Sequence, residues 1–210
     1  MNKLRIAVFV SGSGTNLQSI IDHCENQKID AEVIAVVSNK SSAYALERAK
    51  RHNISTIVVE SKKFKDRREH EAEIIKRLDP YKPELIVFAG YMRLVTPEFI
   101  RNCYNKEKNL PGIINIHPAL LPSFPGTDGY GDAFGYGVKY SGISIHFIDE
   151  GVDTGPIILQ QTFPRYDSDT LEEFRERGLK IEHKLYPMAI QLYAHNRLKI
   201  EGRYVKILEE

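Results

Sequence analysis

The first 90 residues alternate between short apolar runs and longer amphipathic segments. The apolar runs fall at residues 6–10, 33–37, 56–59 and 85–89. Uninterrupted runs of this kind are typical of strands that are buried on both faces of a parallel sheet. Between the runs, apolar residues recur at helical spacing and predict helices at residues 17–27, 43–52 and 66–78. This βαβαβαβ order predicts an α/β fold with helices on both faces of the sheet.

The second half of the chain has a different composition, with eight of the 14 glycines between residues 126 and 155. Five glycines between residues 129 and 142 leave little side-chain packing, so residues 130–142 are expected to be mobile without ligand. The predicted elements are strands at 113–116, 143–148 and 157–162, a helix over 170–195, and a closing hairpin of 198–200 and 204–207. In the strand at 143–148, alternation directs His146 away from the most apolar face.

Charge and cysteine content narrow the class of protein. The chain has 210 residues, with 29 Lys and Arg against 28 Asp and Glu, so its net charge of +1 gives no general attraction to nucleic acid or anionic membranes. Cys24 and Cys103 lie far apart and lack metal-ligand spacing, which indicates a reducing compartment. Residues 6–10 are too short for a signal-peptide core, and no stretch approaches the ~20 apolar residues of a membrane span. We expect one cytoplasmic domain over residues 1–210. The sequence does not distinguish between a monomer and a homodimer.

A glycine-rich hexapeptide lies between the first predicted strand and the first predicted helix. Residues 11–16 are Ser-Gly-Ser-Gly-Thr-Asn. Glycines let a backbone approach an anion closely, and free amides at a helix N-terminus donate hydrogen bonds to it, so the segment suits a phosphate. No Lys-Ser/Thr pair follows, and Leu17 stands where a dinucleotide fingerprint has its third glycine, which disfavours nucleoside triphosphates and NAD. A tight turn with a capping residue is the alternative.

Asn115 and His117 lie at the end of the strand predicted at residues 113–116. Ligands of open α/β sheets bind beyond the carboxyl ends of the strands. The two residues are two positions apart and therefore share a face. An amide donor and an imidazole together suit the stabilisation of an oxyanion and the transfer of a proton. A hydrogen-bonded structural histidine is the alternative for His117.

An acidic loop, Asp-Glu-Gly-Val-Asp-Thr-Gly-Pro, follows at residues 149–156. Asp149 and Glu150 are interpreted as solvated carboxylates. Asp153 lies between two glycines that fix a turn, and it is placed to orient or charge His117, or to accept a proton through water. No cluster in the chain has convincing metal-ligand spacing, so no metal is expected.

Two further segments are candidates for ligand contact. Glu182 and His183 lie in the last predicted helix, and they form either an exposed charged pair or a site at which Glu182 reaches an amine or a sugar hydroxyl. Residues 88–95 follow a buried strand and are suited to wall a pocket for an aromatic ring, with Met92 as an adaptable surface.

Six motifs occur together along the chain. They are Ser-Gly-x-Gly-Thr-Asn at 11–16, Ala-Gly-Tyr-Met-Arg at 89–93, Asn-Ile-His-Pro-x-Leu-Leu-Pro at 115–122, Phe-Pro-Gly at 124–126, Asp-Glu-Gly-x-Asp-x-Gly-Pro at 149–156 and Glu-His-x-x-Tyr-Pro at 182–187. As a set they resemble the phosphoribosylglycinamide formyltransferase family over essentially the whole chain. The resemblance implies the formyltransferase fold: an open, mixed but mostly parallel sheet of about seven strands with helices on both faces and a Rossmann-like N-terminal half.

The resemblance also implies an activity, namely transfer of a formyl group from the cosubstrate 10-formyltetrahydrofolate to the amine of glycinamide ribonucleotide in purine biosynthesis. Residues 1–100 are then the phosphate- and nucleotide-binding half, and residues 101–210 the catalytic and folate-binding half. The implied catalytic residues are Asn115, His117 and Asp153. Those implied for the ribonucleotide are Gly12, Ser13, Gly14, Thr15, Asn16 and Glu182, and those implied for the folate are Met92, Arg93, Leu94, Val95, Ile148, Asp149 and Glu150.

In the implied reaction an amine attacks the formyl carbon and creates a tetrahedral oxyanion, for which Asn115 and a protonated His117 supply donors. Asp153 is expected to raise the His117 pKa and to help relay the proton from the attacking nitrogen to the departing folate nitrogen. The reaction needs no metal, no covalent intermediate and no nucleoside triphosphate.

The sequence departs from the family pattern at two places. Thr127-Asp128-Gly129-Tyr130 follows Phe-Pro-Gly, where many relatives carry a histidine. Leu179 lies one turn before Glu182, where relatives often have a polar residue near the phosphate. Lys180 is adjacent, but its side chain is expected to point elsewhere.

Three alternatives stay open at this point. A methionyl-tRNA formyltransferase shares the motif at 115–122 but normally adds a C-terminal domain and a basic surface, for which 210 residues and a charge of +1 leave no room. A formyltetrahydrofolate hydrolase usually has an extra N-terminal domain, whereas the first predicted strand here begins close to residue 1. A non-catalytic phosphate- or folate-binding module has no reason to keep Asn115, His117 and Asp153 together.

Overall fold

The computed structural model describes residues 3–209. Its strands are β1 (Leu4–Val10), β2 (Ala31–Ser38), β3 (Ser55–Val58), β4 (Leu85–Phe88), β5 (Ile113–His117), β6 (Tyr140–Phe147), β7 (Ile157–Pro164), β8 (Leu198–Glu201) and β9 (Tyr204–Ile207). Its helices are α1 (Thr15–Glu25), α2 (Tyr44–Arg51), α3 (Arg67–Leu78), α4 (Pro97–Asn102), α5 (Gly129–Tyr136) and α6 (Leu171–Ala194). Single turns of 3-10 helix occur at Ser61–Lys63 and Asp79–Tyr81.

Seven strands form one open sheet in the order β3-β2-β1-β4-β5-β6-β7. The pairs from β3 to β5 are parallel, whereas β5–β6 and β6–β7 are antiparallel. The mixed, mostly parallel sheet that the resemblance implies is therefore confirmed. The chain winds from β1 outward to β3 and then returns to β4 on the other side of β1. Ligands of such sheets bind at this reversal, beyond the carboxyl ends of the strands. β8 and β9 form the predicted hairpin apart from this sheet.

Both faces of the sheet are buried, as the apolar runs predict. In β1, Ile6, Val8 and Val10 pack in a core that includes α1, α2 and α6. Ala7 and Phe9 pack in a second core, which includes α3 and α4. Because alternate side chains of a strand point to opposite faces, each layer of helices covers one of these two sets.

Neither cysteine is part of a reactive site, since Cys24 is a buried free thiol and Cys103 a partly buried one. Burial raises the pKa of Cys24 and of Cys103 to about 12, which leaves both protonated and unreactive near neutral pH. Across residues 3–209, no helix is both long enough and apolar enough to cross a membrane.

Most of the predicted elements are present, with boundaries that differ by a few residues. α1 begins at Thr15 rather than at Leu17. α6 follows Thr170, whose side chain forms a reciprocal capping box with Glu173. Two helices differ from the prediction. α4 has only six residues, too few to show a helical period, and α5 lies in the segment that was expected to be a mobile loop.

α5 is held by buried side chains, although its glycine content predicted little side-chain packing. Asp128 caps the helix by accepting a hydrogen bond from the Gly131 amide. Tyr130 and Ala133 are buried. The Tyr130 ring fits against α6 because residue 178 is glycine, where a Cβ atom would lie 2.4 Å from the ring. A glycine in one helix thus makes room for the aromatic anchor of the other.

We expect the amides of residues 132–137 to be protected from hydrogen exchange in the ligand-free protein. The Asp132 amide donates to the Asp128 carbonyl and the Gly137 amide to the Phe134 carbonyl, and both bonds belong to a helix anchored by buried side chains. Hydrogen–deuterium exchange with mass spectrometry measures this directly. Exchange at the rate of an unstructured peptide would restore the mobile-loop prediction.

Candidate active site

One large cavity, of about 760 Å³, lies where the strand order reverses. It is lined by the segments that follow β1, β4 and β5, by the start of α5, by the loop after β6 and by one face of α6. Every residue named above as a candidate for catalysis, for the ribonucleotide or for the folate lines this cavity. Segments that are far apart in the sequence therefore meet at one site.

The cavity also contains residues that the sequence analysis did not assign. Among them are Lys40, Arg67, Tyr130 and Arg175. These residues lie close together because segments that are far apart in the sequence meet in the fold. A local sequence pattern does not indicate such meetings. One signal was available for Arg175, because it lies seven residues before Glu182, two helical turns away on the same face.

α1 begins directly after the glycine-rich hexapeptide and has no side-chain cap. Its N-cap residue, Gly14, has a left-handed backbone with φ of 74°. The amides of its first turn thus keep their capacity to bind an anion. Ser11 fixes the other end of the hexapeptide, since its hydroxyl donates to Asn39 at 2.6 Å and accepts from the Met92 amide at 2.9 Å. These two bonds join the loops that follow β1, β2 and β4.

Gly14→Ala is expected to lower the free energy of unfolding by at least about 2 kcal/mol, since left-handed backbone costs a non-glycine residue about 1–2 kcal/mol and overpacking about 1–3 kcal/mol. A Cβ atom at Gly14 would lie 2.6 Å from the Cβ of Ala45 on α2. Gly12→Ala is the matched control, because no atom lies within 4 Å of a Cβ there. Urea unfolding of both variants is the measurement, and equal losses in the two would contradict the geometry.

Glu182 is buried, so the interpretation of an exposed charged pair is wrong. Its carboxylate accepts hydrogen bonds from the Asn16 side-chain amide, at 2.6 Å, and from the Tyr130 hydroxyl. Burial raises the pKa of Glu182, and these two bonds offset only part of that rise. Oδ1 of Asn16 is buried and lacks a hydrogen-bond partner among the described residues. A buried acceptor left unpaired is costly, so this oxygen is suited to a hydroxyl donor on a ligand.

Asp153 lies at the centre of a cluster of polar side chains. Its Oδ2 accepts from the Gly126 amide at 2.8 Å and is 3.4 Å from Nδ1 of His117. Its Oδ1 is 3.5 Å from Nδ2 of Asn115 and 3.6 Å from Nε2 of His146. Burial by itself raises the pKa of Asp153, but the hydrogen bonds and nearby imidazoles outweigh burial and hold the pKa below its usual value. The carboxylate is therefore ionised at neutral pH.

His117 is buried, and its two ring nitrogens face different acceptors. Nε2 donates to the Phe124 carbonyl at 2.7 Å and so carries a proton, while Nδ1 faces Asp153. Burial lowers the pKa of His117, and the charge of Asp153 raises it by less. The net pKa lies below the ordinary value, which favours a neutral ring in the free protein; a protonated His117 during the reaction stays a prediction. Asp153 acts in the expected direction, but desolvation of the ring is the larger effect.

His146 positions Asn115, a role that the sequence analysis did not assign. The two residues lie opposite each other on β5 and β6. Nδ1 of His146 donates to the Phe147 carbonyl, which leaves Nε2 to accept from the Asn115 amide at 3.2 Å. The remaining N–H of Asn115 has only the long contact with Asp153, so it is available to a ligand oxygen in the cavity. The alternation of side chains in the strand at 143–148 predicted that His146 points away from the most apolar face, but it did not identify Asn115 as its partner.

Met92 and Leu94 give the cavity an apolar wall. These two residues are 58% and 54% exposed, which is high for large apolar residues. Exposed apolar side chains beside convergent polar groups are typical of a site for a ring-containing ligand.

The acidic loop has two kinds of carboxylate besides Asp153. Asp149 accepts from the Gly151 amide and from the Thr154 hydroxyl, so it fixes the turn rather than being simply solvated. Glu150 is exposed and pairs with Arg101 at 3.4 Å, in agreement with the solvated interpretation.

Comparisons with known proteins agree with this arrangement. Residues 4–190 match the formyl transferase family. Phosphoribosylglycinamide formyltransferase of Escherichia coli (strain K12) is 38% identical over 197 residues, which cover 94% of this chain and 90% of that protein. The enzyme of the same name from Bacillus subtilis (strain 168) is 41% identical over 187 residues, covering 89% and 93%. The crystal structure of glycinamide ribonucleotide transformylase 1 from Symbiobacterium toebii has a TM-score of 0.92 and 43% identity, covering 99% and 95%. This chain belongs to the formyl transferase family.

Proposed function

We propose that this chain transfers the formyl group of 10-formyltetrahydrofolate to the amine of glycinamide ribonucleotide, in purine biosynthesis. The observation that carries the proposal is the meeting of three features in one cavity. An uncapped helix start suits a phosphate, the buried pair of Glu182 and Asn16 suits sugar hydroxyls, and Asn115, His117 and Asp153 suit acyl transfer. The names of the relatives point to the same reaction.

The ribonucleotide is oriented by two of its polar groups, the phosphate and the ribose hydroxyls. The phosphate lies on residues 12–16, at the start of α1, and the ribose hydroxyls lie between Glu182 and the unpaired Oδ1 of Asn16. This orientation directs the glycinamide amine toward Asp153 and its neighbours. The folate enters from the side of residues 92–95 and 148–150, with its ring against the apolar wall.

The first chemical step is attack of the amine nitrogen on the formyl carbon. A C–N bond forms, the carbonyl electron pair moves to oxygen, and a tetrahedral oxyanion results. The N–H of Asn115 that has only the long contact with Asp153 turns to stabilise this oxyanion, while His146 holds the other N–H of the amide group in place. Preorganised donors cost no reorientation at the moment when charge develops.

The second step moves one proton. The attacking nitrogen becomes cationic, and its proton passes to the coupled pair of His117 and Asp153, directly or through water. A His117 ring that is neutral in the free protein is able to accept this proton, and Asp153 then stabilises the imidazolium. The same proton passes to the departing folate nitrogen as its C–N bond breaks and the carbonyl re-forms. Among the described residues, no group of three or more His, Cys, Asp or Glu is arranged to hold a metal ion, and neither step needs one.

The proposal is tested by following the fate of a labelled formyl group. The purified protein is incubated with formyl-labelled 10-formyltetrahydrofolate and glycinamide ribonucleotide, and the products are separated. The expected result is label in formylglycinamide ribonucleotide, in amounts equal to the tetrahydrofolate formed. Label in free formate would instead indicate a hydrolase. In a parallel reaction with initiator methionyl-tRNA in place of the ribonucleotide, label on the tRNA would indicate a tRNA formyltransferase. Binding of both ligands without turnover would indicate a non-catalytic module.

A further inference from the structure

Three residues of α6 line the cavity from one face of the helix, namely Arg175, Leu179 and Glu182. Spacings of four and three residues place side chains one above another along a helix. Glu182 contacts Asn16 in the first turn of α1, so this face of α6 lies directly against the helix start that suits the phosphate. Leu179, at the next position along the face, offers neither a charge nor a hydrogen bond. Arg175 is therefore the cation that α6 brings to the cavity.

Arg175 has a weak partner in the free protein. One of its terminal guanidinium nitrogens (Nη2) is 3.1 Å from Oδ1 of Asp128, and the two side chains are 36% and 60% exposed. Ion pairs exposed to this degree contribute little free energy, because water screens them. Asp128 lines the same cavity and also accepts from the Gly131 amide as the cap of α5. A dianionic ligand in the cavity competes well for a guanidinium held in this way, since Arg binds phosphate through two parallel hydrogen bonds.

We propose that Arg175 is the phosphate-specific cation of this chain, and that it leaves Asp128 to pair with the ligand phosphate. The inference rests on the proposed function, because the phosphate in question is that of the ribonucleotide. Arg175 thus supplies from one turn earlier the polar contact that Leu179 cannot make. Asp128 holds Arg175 within the cavity between turnovers and competes with the phosphate.

Direct binding tests this without any requirement for catalysis. Calorimetry measures the Kd of glycinamide ribonucleotide and of its phosphate-free riboside for the wild type and for Arg175→Ala. Hydrogen bonds to charged groups contribute about 1.5–3 kcal/mol, so the Kd of the ribonucleotide should rise about 10- to 150-fold. The Kd of the riboside should stay within about twofold, because exposed substitutions away from a contact are nearly neutral. An equal rise for both ligands, or no rise for either, would overturn the role of Arg175.

Two control variants separate the effect of position from that of charge. Lys180→Ala removes an exposed cation from the same helix outside the cavity, and it should leave both Kd values unchanged. Lys40→Ala removes another cation that lines the cavity, and a larger phosphate-specific loss there than in Arg175→Ala would assign the role to Lys40 instead.

Two further variants test the exchange itself. Adding Leu179→Lys to Arg175→Ala returns a cation to the same helix face and should recover most of the ribonucleotide affinity. Asp128→Asn keeps a good N-cap residue for α5 but removes the competing charge, so ribonucleotide affinity should rise by a factor of about two to five. Weaker binding in Asp128→Asn, with an unchanged melting temperature, would contradict the competition. A wild type that fails to bind the ribonucleotide at all would overturn the proposed function rather than the assignment of Arg175.

Discussion

Replacing Asp153 with Asn is expected to reduce turnover at least about 10²-fold, because positioned acid–base groups contribute about 10²–10⁴-fold. Asn keeps the size of the side chain and tolerates the left-handed backbone of this position, where φ is 52°. The imidazolium of His117 loses its counter-charge, and the proton of the attacking nitrogen loses its acceptor. Steady-state kinetics should show the loss in kcat, while folate affinity, measured by fluorescence titration, changes much less.

The same variant should shift the titration of His117 to lower pH. The charge of Asp153 raises the His117 pKa against the larger effect of burial, so removing that charge lets burial lower the pKa further. Proton NMR of the His117 ring follows this directly, and the pH dependence of kcat should move in the same direction. An upward shift would contradict the electrostatic role of Asp153.

Asp167→Asn is the matched control for charge removal. Asp167 is an exposed carboxylate that pairs with Lys139, outside the cavity. Its replacement should leave kcat unchanged within error. Near-normal turnover in Asp153→Asn would mean that the proton takes another route, even if the chain is a formyltransferase.

Asn115→Ala is expected to lower kcat by about 10²–10³-fold, the usual loss when one oxyanion donor is removed. The KM for each substrate should change little, since the lost bond forms only in the transition state. The substitution also leaves Nε2 of His146 without its donor, so the melting temperature must be measured alongside kcat.

Asn115→Asp separates the donor from the shape of the side chain. It keeps the size of Asn115 but replaces the N–H donor with a second carboxylate beside Asp153. Turnover should fall at least as far as in Asn115→Ala, because an added carboxyl group shares the negative charge of Asp153 and brings it to the place where the oxyanion develops. Retained activity in Asn115→Asp would contradict the oxyanion role.

The sheet could be predicted from the sequence because its signals are local. Each buried strand is a continuous apolar run, and each long helix has its own apolar stripe. The strands and helices of the first half can therefore be located from the hydrophobic pattern alone. α5 could not be predicted in this way. Its stability depends on the fit of the Tyr130 ring against Gly178, two residues that are 48 positions apart, and glycine content alone suggested a loop.

The site was predictable where its residues lie at strand ends or in compact motifs. Asn115, His117 and Asp153 follow this pattern, and the structure brings them together. The direction in which the pKa of His117 shifts was not predictable. It depends on how far the surrounding segments bury the ring, and no local sequence pattern indicates that. Arg175 and His146 were missed for a related reason, since the partner of each in the free protein, Asp128 for Arg175 and Asn115 for His146, lies on another element.

The most direct test of the central claim is the absorbance change that accompanies conversion of 10-formyltetrahydrofolate to tetrahydrofolate, recorded with and without glycinamide ribonucleotide. The account predicts a change that begins on addition of the ribonucleotide, stops when the limiting substrate is consumed, and is at least about 10²-fold slower in Asp153→Asn. An equal rate of change without the ribonucleotide, or no change in its presence, would contradict the claim that this chain is a ribonucleotide formyltransferase.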